Sequence, residues 1–387
     1  MFRFSPSPTG DMHIGNLRAA IINFICARQR NDKFIVRIED IDKARNIEGK
    51  DQDILNILKI CGISYDDLYY QSNNFKYHLQ FASKMLDEKK AFMCFCTPEE
   101  LEAKEKMAKE SSKAYKYDGK CENLSSKEIL ESTKSFVIRI KKPDQDISFS
   151  DAVKGDLTFE QESLESLDSF VIMNTDKYPT YNFACAIDDM LQGITYIIRG
   201  EDHLSNTPKQ EHIRQSLGYN ESVTYAHLPA ILDNDGKKMS ARDDGSSVQW
   251  LLDQGYLPEA IVNYLILLGN KTPKEIFTLE EALDWFEIES LSKSSEKFDI
   301  DKLKFVNRSH ILLLDDSDLA KRIGYKDAKI GKIAKLYTEE ESTILEIKEK
   351  IDSLLLVKNI DEEFSNNGPK LAVIDPLIKN YIKEIVK

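Results

Sequence analysis

Met1-Phe-Arg3-Phe4-Ser5-Pro-Ser7-Pro-Thr9-Gly10-Asp11-Met12-His13-Ile14-Gly15-Asn16 opens the chain. It reads as a short apolar strand, a loop punctuated by proline and glycine, and the entry to a helix. Leu17, Ala20, Ile21, Phe24 and Ile25 continue at helical spacing. Phe34-Ile-Val-Arg37-Ile38 is a second apolar run, followed by the acids Glu39, Asp40 and Asp42 and by a helix over 51–60 that stops at Gly62. Strand, helix and strand in this order predict a parallel α/β sheet.

Further along, the pattern changes. Residues 99–110 are so charged that they read as an exposed helix, and 136–140 and 170–173 read as strands separated by turns. This middle portion has the character of an insertion into the sheet. Strand-like text resumes at 194–198, with a helix after Pro208 and a loop rich in glycine and aspartate at 233–245. Helical spacing then dominates at 248–254, 258–268 and 279–286 and onward to the C-terminus. At 387 residues the chain should divide into roughly two to four domains.

Hydrophobic residues make up 41% and charged residues 31%, an ordinary balance for a globular chain. Apolar stretches such as 260–269 are interrupted by Asn263 and Tyr264 and are too short to span a bilayer. The opening residues lack the extended apolar region of a secretory signal, so a cytoplasmic protein with no membrane partner is expected. A net charge of −13 argues against nonspecific coating of nucleic acid, which rests on Lys and Arg displacing counterions. A local basic field still suffices for a defined RNA partner. Lys321, Arg322, Lys326, Lys329, Lys332 and Lys335 meet one acid, Asp327, and fit either a solvated helix face or such a contact.

Two segments carry chemistry. In the first, Gly15 lets backbone approach a bound group closely, the helix beginning near Asn16 offers free N–H groups to a phosphate, and His13 can donate to a phosphate oxygen. Its place after the first strand is where ligands sit in open α/β sheets. In the second, Lys237-Lys238-Met239-Ser240-Ala241-Arg242, lysine charge on a loop suits a pentacoordinate phosphate and a departing pyrophosphate.

In this order the two segments resemble the paired ATP-binding signatures of class I aminoacyl-tRNA synthetases. Four further segments resemble the bacterial glutamyl branch of that family: Arg3-Phe-Ser-Pro-Ser7-Pro-Thr9-Gly, Val36-Arg-Ile-Glu39-Asp40-Ile-Asp42, Tyr178-Pro-Thr-Tyr181-Asn182 and Ile198-Arg199-Gly200-Glu201-Asp202-His203. The likeness runs from Met1 to about Asn307. It implies a Rossmann-like doubly wound parallel sheet and ATP-dependent attachment of L-glutamate, through a glutamyl adenylate, to the 3′ end of the tRNA for glutamate, for glutamine, or both. ATP and Mg2+ are the implied cofactors, and a monomer is expected. Arg3, Ser7, Glu39, Tyr181 and Arg199 would form the glutamate pocket, with an arginine forked onto the side-chain carboxylate and Glu39 on the α-amino group. Thr9, His13, Gly15, Asn16, Asp202, Ile231 and Lys238 would hold ATP, with His13, Lys238 and Ser240 acting on the phosphates. Arg37, Asp40 and Asp42 alternatively read as a surface salt-bridge network. The chain departs from the family at Ala241, where the second signature usually carries a lysine.

Of the six cysteines, Cys26, Cys61 and Cys185 lie in apolar patterns and read as core. Cys94-Phe-Cys96 with Tyr117-Asp-Gly-Lys-Cys121 resembles a structural zinc site in which a tyrosine oxygen completes the ligand set. Metal-free reduced thiols are the competing reading. Two other functions compete with the synthetase: a short glutamyl transferase that modifies a tRNA anticodon base, and a noncatalytic tRNA-binding descendant. The resemblance divides the chain into 1–90 and 181–240 for the split catalytic sheet, 91–180 for an inserted acceptor-binding domain, 241–307 for a helical stem-contact domain and 308–387 for an all-helical anticodon-binding domain. That last part looks shortened relative to longer bacterial relatives.

Overall fold

The computed structural model describes residues 1–111, 115–161, 167–239 and 245–355. In chain order the strands are β1 (Phe2–Phe4), β2 (Phe34–Ile38), β3 (Asp67–Tyr70), β4 (Ala91–Cys94), β5 (Val137–Ile140) and β6 (Ile147–Asp151). They continue with β7 (Leu157–Phe159), β8 (Val171–Met173), β9 (Tyr196–Gly200), β10 (Thr224–Leu228), β11 (Ile231–Leu232) and β12 (Glu296–Lys297). The helices of the first part are α1 (Ile14–Gln29), α2 (Lys50–Ile60), α3 (Phe75–Asp87), α4 (Pro98–Glu110), α5 (Ser126–Glu131), α6 (Tyr181–Leu191) and α7 (Thr207–Ser216). Then come α8 (Val248–Asp253), α9 (Pro258–Leu267), α10 (Leu279–Trp285), α11 (Ile300–Leu313), α12 (Asp316–Arg322), α13 (Ala328–Leu336) and α14 (Ile344–Leu355).

Seven strands form one sheet in the order β3-β2-β1-β9-β10-β6-β7. Every pairing is parallel except that of the edge strand β7 with β6. Strand β2 is buried along its whole length, as its continuous apolar text requires in a sheet covered on both faces. Helix α1 packs on β1 and β9 and is covered in turn by α9 and α10, so nearly all of it from Ile14 to Ala27 is buried. Its two buried polar residues there direct donors onto backbone. Arg18 donates to Pro229 O (3.2 Å) and Leu268 O (2.7 Å), and Asn23 donates to Ala19 O (2.8 Å) and Ile198 O (3.0 Å).

The stretch 91–180 contributes to two of the three sheets among the described residues. Strands β4, β5 and β8 form a separate three-stranded sheet, but β6 and β7 extend the large one. Phe149 explains their place: its ring stacks on Phe159 (5.9 Å) and meets Tyr225 of β10 edge-on (5.2 Å), so this hairpin covers what would otherwise be an exposed sheet edge. Helix α4 buries none of its residues, as its charge pattern predicts, and is held by a Thr97/Glu100 capping box.

A second core begins at Leu257 and Ala260 and runs through α11–α14 to Leu354. Helix α11 spans the boundary expected at 307/308, and residues 356–387 of the expected anticodon-binding portion lie outside the described residues. Helices α12 and α13 cross so closely that a Cβ on Gly331 would lie 1.8 Å from Asp316 O, which reserves that position for glycine. Among the described residues no helix is long and apolar enough to cross a membrane.

Candidate active site

The sheet order reverses between β1 and β9: from β1 the chain moves out through β2 and β3, while β9 and β10 extend the other side. Beyond the carboxyl ends of strands at such a point an α/β sheet leaves a crevice. Here it is a cavity of about 540 Å³, and Arg3, His13, Gly15, Asn16, Tyr181, Arg199, Asp202, Ile231 and Lys238 all line it. Residues expected from widely separated stretches of sequence therefore meet in one place.

His13 is the N-cap of α1, and its Nδ1 accepts from Gly15 N–H at 3.0 Å. In the neutral ring this bond assigns the proton to Nε2, making that nitrogen a donor. A Cβ on Gly15 would lie 3.2 Å from His13 Nδ1, so glycine keeps the cap tight. Lys238 rides on a turn closed by Met239 N–H to Ile231 O (3.0 Å) and Asp233 N–H to Lys237 O (2.7 Å), and its ammonium pairs with Asp202 at 3.2 Å. Burial opposes ionisation of Asp202, but His203 and Lys238 outweigh it and hold the carboxyl below its usual range. Ile14 N–H donates to Ser246 O (2.8 Å) and Val248 N–H to Met12 O (2.9 Å), which docks the segment after the second signature onto the first. Ser240 and Ala241 lie outside the described residues.

The arginines divide into two kinds. Arg3 donates from Nε to Asp189 Oδ1 (3.2 Å), and Arg37 donates to the same oxygen (2.8 Å) and to Glu39 Oε1 (3.2 Å). The sequence reading of Arg37 as part of a surface network is therefore corrected: Arg37 is fully buried, because β2 is covered on both faces, and it is matched by two buried carboxylates. Arg199 is different. It is buried, yet its three bonds go to neutral acceptors: His227 Nε2 (3.3 Å), Gln210 Oε1 (2.9 Å) and Thr207 Oγ1 (2.7 Å). Burial, reinforced by the Arg199 charge, pushes the neighbouring His203 down to about 4, so that ring is neutral at pH 7.

Ser7 and Glu39 do not line this cavity. They line a second one of about 610 Å³ whose wall includes Tyr181, and Tyr181 borders both spaces. Thr9 lines neither, and its N–H donates to Ser7 O at 2.9 Å. Sequence reasoning missed Asp189, Thr207, Gln210 and His227. Asp188-Asp189 within the otherwise apolar text of α6 was a usable signal, since a carboxylate on a buried helix face needs a cationic or donor partner.

The cysteine cluster forms elsewhere. The sulfurs of Cys94, Cys96 and Cys121 lie within 4.8 Å of one another, and Cys96 and Cys121 are 3.7 Å apart. The Tyr117 hydroxyl sits among them, 3.3 Å from Cys94 Sγ and 3.7 Å from Cys96 Sγ. Burial opposes ionisation of Cys94, but the Tyr117 hydroxyl and Arg139 outweigh it and draw its pKa below the usual thiol value.

Comparison with known proteins places these features in a family. Residues 1–305 match the family of class I tRNA synthetases (E and Q), catalytic domain. Over 434 residues covering 100% of both chains, the sequence is 52% identical to glutamate–tRNA ligase 1 of Campylobacter jejuni subsp. jejuni serotype O:23/36 (strain 81-176). It is 51% identical over 435 residues, again covering 100% of both chains, to glutamate–tRNA ligase 1 of a Nitratiruptor species. The fold is similar, with a TM-score of 0.83 and 26% identity, to the crystal structure of a glutamate tRNA ligase from Elizabethkingia meningosepticum CCUG26117 in complex with its amino acid, covering 99% of this chain and 89% of that one.

Proposed function

The chain belongs to the class I tRNA synthetases of the glutamate and glutamine family and uses ATP to attach glutamate to tRNA; from that premise we propose how its residues divide the work. The observation that carries the assignment is Arg199, a buried guanidinium whose three bonds go to neutral acceptors. Its charge is available to a carboxylate, and we assign it to the side chain of glutamate. Arg3, tied to Asp189, adds positive field beside it. Ser7 and Glu39 approach from the second cavity, with Glu39 on the α-amino group, and Tyr181 closes the wall between the two spaces. His13, Gly15, Asn16, Asp202, Ile231 and Lys238 take the nucleotide.

No enzyme nucleophile is required. A glutamate α-carboxylate oxygen attacks the α-phosphorus, and the bond to pyrophosphate breaks. A ribose hydroxyl at the tRNA 3′ end then attacks the mixed anhydride and AMP leaves. Catalysis is positioning plus charge stabilisation, with donors from His13 Nε2 and Lys238 facing the phosphates. Magnesium bound with pyrophosphate would neutralise part of its charge. The tRNA partner is that for glutamate, for glutamine, or both, and the protein acts as a monomer in the cytoplasm. Charging each purified tRNA with labelled glutamate and ATP tests the reading. Ester-linked glutamate on either is the expected product, and none on both would overturn it.

The cysteine cluster suits a structural zinc ion. Tetrahedral Zn–S bonds of about 2.3 Å put neighbouring sulfurs about 3.8 Å apart, close to the 3.7 Å between Cys96 and Cys121. Cys94, Cys96, Cys121 and the Tyr117 oxygen would hold it, knotting a segment that has only a small cluster of buried apolar neighbours. The expected result is about one zinc per purified chain by elemental analysis, lost in Cys121→Ser. A zinc-free chain whose unfolding is unchanged by added metal would remove this assignment.

A further inference from the structure

Behind Arg199 lies a buried polar chain that the reaction as described does not use. Asp151, at the end of β6, is 3% exposed and His227 on β10 is fully buried. Asp151 Oδ1 accepts from Val153 N–H (2.9 Å) and Lys154 N–H (2.7 Å), and Oδ2 accepts from His227 N–H (3.1 Å). A carboxylate bound to three backbone donors is an ionised acceptor, so its 2.5 Å contact with His227 Nδ1 requires the proton on Nδ1. His227 Nε2 is then a lone pair. It faces the Thr207 hydroxyl at 2.9 Å and Arg199 Nε at 3.3 Å. With the hydroxyl donating to Nε2, Thr207 Oγ1 is free to accept from Arg199 Nη2 at 2.7 Å.

The direction of the His227–Thr207 bond, and the acceptor offered to Arg199 Nε, therefore follow from Asp151. Arginine has five N–H groups. Three are spent on His227, Thr207 and Gln210, which leaves two, one on each terminal nitrogen, matching the two oxygens of a carboxylate. A His227 proton on Nε2 would set a donor against Arg199 Nε and turn the Thr207 hydroxyl towards its other acceptor, His203 O at 3.4 Å.

We propose that Asp151 and His227 are positioning residues for glutamate recognition: by fixing the His227 tautomer they orient Arg199 so that its two remaining N–H groups meet the substrate's side-chain carboxylate. The proposal rests on the assignment of that carboxylate to Arg199. Asp151 comes from β6, the strand that joins the large sheet beside β10, which gives that pairing a role in the pocket as well as in covering an edge.

The test compares Asp151→Asn and His227→Gln with the unaltered chain in tRNA charging, varying glutamate and ATP separately. An amide at 151 can present N–H to His227 Nδ1 and move the ring proton to Nε2. Asp151→Asn is expected to raise KM for glutamate about tenfold or more and leave KM for ATP within about twofold. His227→Gln keeps an oxygen acceptor facing Arg199 and should fall between Asp151→Asn and the unaltered chain. Combining Asp151→Asn with Arg199→Lys, whose ammonium lacks the fork, should add little to the glutamate KM of Arg199→Lys alone. An Asp151→Asn KM for glutamate that does not change, or one that rises together with that for ATP, overturns the relay. If Arg199→Lys itself leaves the glutamate KM unchanged, the assignment of Arg199 fails instead. Melting curves of each variant separate these outcomes from misfolding.

Discussion

Arg199→Ala is expected to all but abolish glutamate charging and to leave the fold intact. The substituted pocket would have to desolvate a carboxylate beside Arg3 alone, whose charge is already shared with Asp189. An uncompensated buried charge costs about 3–5 kcal/mol. Applied to the transition state, that is a loss of about 10²–10⁴ in kcat/KM for glutamate. The structural cost is smaller. Arg199 stands in the wall of an open cavity, so water can enter the space it vacates, and the acceptors on Thr207, Gln210 and His227 can be satisfied by that water. Steady-state charging read beside a circular-dichroism melt checks both halves. Near-normal turnover in this variant would sink the pocket assignment.

Asp189→Ala is expected to show the opposite signature, with stability damaged first. One carboxylate oxygen takes bonds from both Arg3 and Arg37, and all three side chains are almost wholly buried. Removing it leaves two buried guanidiniums with Glu39 as the remaining anionic partner of Arg37, beside the neutral Gln192 oxygen. Loss of one partner from a buried pair costs about 3–5 kcal/mol, so the catalytic domain should melt on the order of 10 °C lower. The pH dependence has a defined sign. Burial opposes ionisation of Asp189, but Arg3 and Arg37 outweigh it and bring its pKa from 3.8 to about 2. A depressed carboxyl pKa stabilises the fold at pH above its unfolded value and ceases to do so as pH falls through the folded one. The gap in melting temperature between the unaltered chain and Asp189→Ala should therefore be constant above about pH 5 and narrow as pH falls from about 4 towards 2. A gap that stays constant through that range would mean that charge pairing at Asp189 is not what holds the two arginines.

Much of this site was legible from short segments. His13, Gly15 and Asn16 follow a strand and open a helix, and a helix start after a strand has a known geometry whatever the rest of the chain does. Arg3, Tyr181, Arg199 and Lys238 were recognisable as parts of quoted motifs, and the structure brings them to one cavity. The cysteine cluster was likewise visible through its resemblance to a zinc site, and the structure brings the sulfurs of Cys94, Cys96 and Cys121 together. What could not be read was which acid serves which base. Arg37 lies two residues from Glu39 and pairs with it, but its shorter bond is to Asp189, far along the chain.

By itself, then, the sequence determined the elements whose causes are local: the α1 entry after β1, the buried run of β2 and the exposed α4 with its capping box. Only the tertiary structure decided that β6 and β7 join the large sheet, that Ser7 and Glu39 open onto a second cavity across Tyr181, and that Asp151 reaches Arg199 through His227 and Thr207. The physical reason is the range of the forces involved. Capping, periodicity and turn chemistry act over a few residues and leave a mark in the text. Burial of a charge and the direction of a hydrogen bond depend on whichever groups the packed sheet brings within about 3 Å, and strand order, which no local pattern encodes, chooses them.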